Sequence, residues 1–368
     1  MIVLGIESSC DETAVGIVRN GDELLANAVF SSMDLHKAFG GVVPEIAARS
    51  HVESILPVLD EALEMAFPTL STEEKWDSID AIAVTYGAGL GGSLLVGVMT
   101  ARTLAIEKKK PLYGINHVEA HVYANFLTKT DLISYKLPTT QPKFPLLALI
   151  VSGGHSQLVL FRDHFDYTLL GQTRDDAIGE AFDKVAKIIG LPYPGGPSIA
   201  KAAENGNAHK YRFPKALLDS KYDYSFSGPK TAVLRLAQEE IGEDYTFPSY
   251  KLSDKLSERQ KLDIAASFQR VAVETVVDKT MLAFDEFQPE SVVIAGGVAA
   301  NQELRKQLQN RLEDKLKESD ISNILSFTDS KLCTDNGAMI ATLGCYKVMQ
   351  DLPTADPYSL QIEPNLSM

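Results

Sequence analysis

The sequence predicts a duplicated α/β architecture, and three features predict it. Each half opens on two apolar runs joined by a polar turn. The first pair, residues 2–7 and 13–18, flanks Ser8-Ser9-Cys10-Asp11-Glu12. The second, residues 146–151 and 157–161, flanks Ser152-Gly153-Gly154-His155-Ser156. Each half later runs a short strand into a glycine-rich loop that opens a helix, at 81–106 and from 291 onward. A polar stretch at 128–145, with Thr139-Thr140 and two prolines, reads as a linker or insertion between them. The implied domains are 1–127 with 336–368, and 146–335; a chain of 368 residues is long enough for both.

In the first hairpin, hydroxyls and carboxylates stand where a purely structural turn would more often carry Asn-Gly. Asp11 and Glu12 are therefore candidate functional groups. A helical region follows Gly40-Gly41, with Pro44 in its first turn, Ile55, Leu56, Leu59 and Leu63 as its buried face, and a kink at Pro57. Strand 81–85 leads through Tyr86-Gly87-Ala88-Gly89-Leu90-Gly91-Gly92 into a helix over 93–106. Such a loop can turn backbone N–H groups toward an anion, though its spacing is neither a dinucleotide fingerprint nor a Walker loop. Lys108-Lys109-Lys110 suits either a solvated helix end or, with Arg102, a basic track.

Strand 112–115 precedes Asn116-His117-Val118-Glu119-Ala120-His121. Asn116 is an expected N-cap for a helix running to about Leu127. His117 and His121 then share one helix face, a turn apart, and could hold one divalent metal if a third ligand came from elsewhere. Two packed, hydrogen-bonded histidines are the alternative. Glu119 lies about 200° round the helix from either histidine, so it is misplaced for a zinc peptidase of the H-E-x-x-H kind.

In the second half a helix over 176–189 carries Glu180 and Asp183, and Pro192-Tyr193-Pro194-Gly195-Gly196-Pro197 forms a rigid loop. Tyr224–Lys230 precedes another helix, and a long one spans about 260–287. Strand 291–295 runs into Gly296-Gly297-Val298-Ala299-Ala300-Asn301, and Cys333-Thr334-Asp335-Asn336-Gly337 opens a C-terminal helix. An aspartate at Asp335 would ordinarily cap that helix.

A net charge of −14 makes the chain a poor binder of polyanions unless its cations cluster or a partner supplies them. Three cysteines without C-x-x-C spacing fit thiols in a reducing cytoplasm. The first residues lack a basic n-region and cleavage site, and no apolar run is long enough to span a membrane.

Seven motifs occur in the order found in the bacterial TsaD (YgjD) family. They are Gly5-Ile6-Glu7-Ser8-Ser9-Cys10-Asp11-Glu12-Thr13, His117-Val118-Glu119-Ala120-His121, Val151-Ser152-Gly153-Gly154-His155, Gly179-Glu180-Ala181-Phe182-Asp183-Lys184, Pro194-Gly195-Gly196-Pro197, Ala295–Asn301 and Cys333–Gly337. The chain resembles these tRNA N6-adenosine threonylcarbamoyltransferases from Ile2 to about Met349, departing at Ala200 and at Pro229, where relatives commonly carry an acid and a leucine.

The resemblance implies two ribonuclease-H-like domains around a cleft, as in the sugar-kinase, Hsp70 and actin superfamily. It implies transfer of threonylcarbamoyl from threonylcarbamoyl-AMP to N6 of the adenosine 3′ of the anticodon in tRNAs reading ANN codons, with release of AMP. It maps one Fe²⁺ or Zn²⁺ onto His117, His121 and Asp335. Adenine-nucleotide contacts (threonylcarbamoyl-AMP, ATP or ADP) map onto Ile150, Val151, Ser152, Gly153, Gly154, Asp183, Gly196 and Asn301. It further implies a cytoplasmic enzyme that assembles with TsaB and TsaE proteins, with Asp11 or Glu12 receiving the amine proton or positioning the adenosine. An ATP-dependent kinase of the same fold, a metallopeptidase and a non-catalytic scaffold are the competing readings. Release of AMP, not ADP, separates the transferase from the kinase.

Overall fold

A computed structural model of the chain describes residues 1–216, 218–316 and 324–368. It divides into two compact units, Met1–Pro142 with Phe327–Met368, and Lys143–Ser326.

The sheet of the first unit contains β1 (Ile2–Glu7), β2 (Glu12–Arg19), β3 (Glu23–Ser31), β4 (Ala81–Gly87), β5 (Leu112–Asn116) and β6 (Lys129–Thr130), in the order β5-β4-β1-β2-β3-β6. The second unit contains β7 (Leu146–Val151), β8 (Ser156–Asp163), β9 (Asp166–Gln172), β10 (Ser291–Ala295) and β11 (Leu325–Ser326), in the order β11-β10-β7-β8-β9. The two plans coincide. In each, an antiparallel meander of three strands continues into two strands parallel to the first. The duplication read from the hairpins thus extends to whole sheets. The third meander strands, β3 and β9, were not legible. β9 is an edge strand with mostly half-exposed side chains, so it carries no strong apolar pattern.

β7 is buried along its whole length, as a continuous apolar run demands when both faces of a sheet are covered. On β1, Leu4 and Ile6 join Ile55, Val58, Leu59, Val98 and Ala101 of the Pro44–Ala66 and Gly91–Lys108 helices. Gly5 faces the Gly337–Met349 helix instead. Pro44 starts its helix and Pro57 lies inside it, as expected, but Leu56 belongs to the outer surface and is 61% exposed. It lies about 100° round from Ile55, beyond the edge of the buried stripe.

Two expected boundaries move. Residues 128–142 pack onto the first unit: β6 pairs with β3, Asn27 donates to Tyr135 Oη, and Gln141 Nε2 donates to Phe126 O and Tyr346 Oη. Residues 327–335 also belong there, with Thr328 Oγ1 donating to Ala124 O and Lys331 Nζ to Ser134 O. Polar composition suggested a linker at 128–145, yet these polar groups are satisfied by specific partners.

The C-terminal residues cross the same unit as a strap. Arg102 donates to the carbonyls of Pro357 (2.6 Å), Tyr358 (2.6 Å) and Leu360 (3.4 Å). Glu363 N donates to Tyr86 O, Gly89 N to Pro364 O, and Asn116 Nδ2 to Ser367 O. No helix among the described residues is long and apolar enough to cross a membrane. None of the three cysteines forms a disulfide.

Candidate functional site

Asn116 ends β5 and caps the next helix, its Oδ1 accepting from Val118 N (2.9 Å) and Glu119 N (3.3 Å). The α-helix is shorter than expected, His117–Tyr123, and tightens into a 3₁₀ turn over Ala124–Phe126. One turn is enough to set His117 and His121 side by side, ring centroids 4.7 Å apart.

Asp335 does not cap the C-terminal helix. Asn336 does, its Oδ1 accepting from Met339 N at 2.9 Å. Asp335 Oδ1 instead lies 3.5 Å from His117 Nε2 and 3.4 Å from His121 Nε2, with one ligand atom of each residue within 4.8 Å of the others. Tetrahedral bonds of about 2.1 Å place neighbouring donors about 3.4 Å apart, so this set has the span of a metal site. Both ring nitrogens of His121 are buried and lack a hydrogen-bond partner. A buried imidazole left in that state calls for an occupant, and a cation before Nε2 supplies one. Two imidazoles and a carboxylate suit Fe²⁺ or Zn²⁺ and leave room for a further ligand.

Behind His117 stands Glu7, the last residue of β1 and fully buried. Its Oε2 takes His117 Nδ1–H at 3.1 Å and Thr85 Oγ1–H at 2.5 Å, while Oε1 takes Ser9 N–H at 2.5 Å. This fixes the His117 tautomer and turns Nε2 toward Asp335. Burial pushes the Glu7 carboxyl up, but His117 and Ser9 outweigh it and hold the carboxyl below the usual range. Burial pulls His117 down, but Asp335 and Glu7 overcome it and push the imidazole up to about 9. Sequence reasoning quoted Glu7 in a motif without giving it a role. The available signal was a charged residue ending an otherwise apolar strand.

Glu119 points elsewhere, as its spacing requires. Its Oε1 is buried without a hydrogen-bond partner, its charged neighbour is Lys347, and burial pushes its carboxyl up to about 7.

The β1–β2 turn is held rigidly. Leu90 N donates to Ser9 O, Ser93 Oγ to Cys10 O and Ser32 N to Asp11 O. His51 Nε2 lies 3.0 Å from Cys10 O. In the glycine-rich loop at 86–92, the N–H groups of Leu90 and Gly89 thus go to Ser9 O and Pro364 O. The loop buttresses the turn. Burial, Asp335 and Asp11 push the Glu12 carboxyl up to about 10.

In the second unit the mapped positions gather at the carboxyl ends of β7 and β10, the parallel pair at which the strand order reverses, where open α/β sheets commonly bind ligands. Ile150 and Val151 end β7 and are buried. Ser152 O accepts from Gly179 N at 3.2 Å. A Cβ on Gly179 would meet Ser152 O at 2.6 Å, and one on Gly296 would meet Val151 O at 2.5 Å, so two glycines let the flanking segments close on this turn. Gly153, Gly154 and Gly196 differ: nothing lies within 4 Å of their Cβ directions, and none has positive φ. The fold itself does not require glycine there. Asp183 Oδ1 accepts from Gly195 N at 2.6 Å, while burial raises its carboxyl. Asn301 caps the Gln302–Leu316 helix through Leu304 N (3.1 Å) and donates to Gln269 Oε1 (3.0 Å), leaving one Nδ2 hydrogen.

Residues 23–342 match the TsaD family, described as tRNA N6-adenosine threonylcarbamoyltransferase. The chain belongs to that family. It is accordingly a transferase that modifies tRNA. The relatives bearing that name include a Thermomicrobium roseum protein, 48% identical over 94% of this chain and 92% of that protein. Another, from Caldicellulosiruptor saccharolyticus, is 45% identical over 100% of this chain and 98% of its own length. Among solved structures, HypF in its phosphate- and nucleotide-bound form superposes over 94% of this chain and 46% of its own, with a TM-score of 0.54 and 13% identity. HypF from T. kodakarensis does so over 96% and 48%, at 0.53 and 12%. These likenesses concern the fold, an α/β architecture shared with the HypF proteins.

Proposed function

We propose that this TsaD-family chain transfers threonylcarbamoyl from threonylcarbamoyl-AMP to N6 of the adenosine 3′-adjacent to the anticodon, in tRNAs reading ANN codons, with release of AMP. The observation that carries the reading is the triad of His117, His121 and Asp335, which a kinase of this fold does not need. A divalent ion there, Fe²⁺ or Zn²⁺, supplies Lewis acidity that makes a carbonyl more electrophilic or orients the transferred group.

The chain's own residues do the rest. Glu7 holds the His117 ring in place. The N6 amine attacks the carbamoyl carbonyl, the bond to the AMP phosphate breaks, and the amine proton passes to the Asp11 carboxylate. Glu12, the next residue, is the alternative acceptor. Ser152 N–H closes the turn on His155 O, and the N–H groups of Gly153 and Gly154 receive the departing phosphate, where charge develops. Ile150, Val151, Asp183, Gly196 and Asn301 hold the remaining adenylate. The test is incubation with threonylcarbamoyl-AMP, tRNA and partner proteins, followed by nucleoside analysis. Threonylcarbamoyladenosine with stoichiometric AMP is expected; ADP release without modified nucleoside would overturn the reading.

The open glycine turn makes a specific demand. Gly154→Val meets no protein atom, so folding should survive while AMP and ATP bind about tenfold or more weakly. Wild-type affinity, read by calorimetry, would remove the phosphate from this turn.

TsaB and TsaE are the proposed partners, in the cytoplasm. Val52 and Leu56 on one helix, and Leu95 and Met99 on the helix packed beside it, are 47–65% exposed. Apolar pairs at i, i+4 on adjacent helices mark a contact face, which we assign to TsaB. Leu56→Asp should abolish co-elution with TsaB while leaving the melting temperature of the chain unchanged. Undiminished co-elution would move the interface elsewhere.

A further inference from the structure

Arg102, Lys184 and Lys230 are already engaged. Arg102 holds the C-terminal carbonyls. Lys184 pairs with Asp176 at 2.7 Å and Glu180 at 2.8 Å, and Lys230 pairs with Asp176.

A different surface, in the second unit, is poised for an anion. His209, Arg212, Phe213, Lys215, Arg270 and Glu274 line a cavity of about 350 Å³. Its three permanent cations face two carboxylates, Glu274 in the lining and Asp278 beside it. Arg270 is fixed: Nε donates to Ala208 O and Nη1 to Glu274 Oε1, both at 2.8 Å. Lys215 bridges Glu274 (3.0 Å) and Asp278 (2.7 Å). Arg212 is exposed, and among the described residues its guanidinium makes no hydrogen bond or ion pair.

Local sequence explains this presentation. Asn207 O accepts from Lys210 N in a turn, and the bends at Lys210 and Tyr211 that follow set neighbouring side chains on different sides. Tyr211 and Phe213 are each 9% exposed, and Lys210 and Arg212 point outward. The run is fastened to the Glu258–Phe287 helix: Asn207 N donates to Asp263 Oδ1 (2.7 Å), Tyr211 N to Ser267 Oγ (3.2 Å), and Ser267 Oγ to Asn207 O (3.1 Å). The guanidinium therefore stands on a fixed base, ready to receive two oxygens of one phosphate.

We propose that this cavity grips the phosphodiester backbone of the tRNA substrate, Arg212 bonding the non-bridging oxygens beside the ion-paired Arg270 and Lys215. Such a local site is what a chain at −14 needs to approach a polyanion. The proposal rests on tRNA being the substrate.

The test is binding of the full chain to an unmodified tRNA transcript across about 50–200 mM salt. Arg212→Glu should weaken binding about tenfold and lower the slope of log affinity against log salt by about one. Arg212→Lys should recover most of the affinity. Lys109→Glu, the same charge change at an exposed helix end of the first unit, should leave affinity within about twofold. Arg212 has no partner to lose, so misfolding does not cloud the result. Unchanged affinity and slope in Arg212→Glu would overturn the proposal, and so would an equal loss in Lys109→Glu. Inorganic phosphate or ATP binding that depends on Arg212, with tRNA binding unaffected, would assign the cavity to a small anion instead. Failure of the unaltered chain to bind tRNA at the lowest salt would bring down the substrate reading itself.

Discussion

His121→Ala will strip the protein of its metal and, with it, of its transferase activity. Elemental analysis of the purified chain should show about one equivalent of divalent metal in the parent and near none in the variant, because two remaining ligands hold Zn²⁺ or Fe²⁺ poorly. Modification should fall by about 10³-fold, the order of effect of removing a Lewis acid worth several kcal/mol. His121 is the cleaner position to alter. Its ring nitrogens make no hydrogen bond, so alanine removes a ligand and leaves no partner stranded. His117→Ala would also strand Glu7, a buried carboxylate that loses its imidazole, at a cost of about 3–5 kcal/mol. Glu7→Gln separates the orienting role from the ligand role: it keeps three ligands and should lower metal affinity about 10–100-fold. Full metal occupancy in a His117→Ala, His121→Ala double variant would dispose of the site.

The second large effect lies away from the chemistry. Gly16→Ala should destabilise the first unit by about 3 kcal/mol or more. A Cβ on Gly16 would sit 2.2 Å from Ala338 N and 2.3 Å from Gly337 C. Gly5, its cross-strand partner, has Ala341 N at 2.3 Å, and Gly337 has Gly16 N at 2.0 Å. All three close approaches are backbone against backbone, so no rotamer can relieve them. The C-terminal helix must lift off β1 and β2, and Asp335, two residues before that helix, moves with it. A drop of about 6–12 °C in the melting transition is expected for a unit of this size. Metal affinity should fall with it, although Gly16 touches no ligand. An unchanged melting temperature would mean that the helix is not seated on these glycines.

How much of the site was readable depends on the range over which each contact is made. The histidine pair needed only helical periodicity and an asparagine cap, both local. The phosphate-sized turn at Ser152–Gly154 needed only two apolar runs and the glycines between them. Glu7 was visible as a charge in an apolar strand, but its partner His117 opens the helix after β5, and no local pattern names a partner. Glycine spacing at 86–92 shows N–H groups without showing that Ser9 O and Pro364 O take two of them. The bonds of Arg102 to distant carbonyls are equally invisible to spacing.

By itself the sequence determined the elements: strand polarity, turn chemistry, helix starts and the one-face histidines, all set by periods of two and 3.6 residues and by side chains bonding to nearby backbone. The resemblance pointed to Asp335 as the third ligand, but only the tertiary structure shows how it comes to face the two histidines. Asp335 and Asn336 are adjacent and equally suited to cap a helix, and capping preference favours neither. The choice is made where Gly5, Gly16 and Gly337 let a helix lie against a sheet at backbone contact, placing Asp335 over two imidazoles and leaving the cap to Asn336. Close packing of distant segments sets such distances, and no window of sequence contains both sides of them.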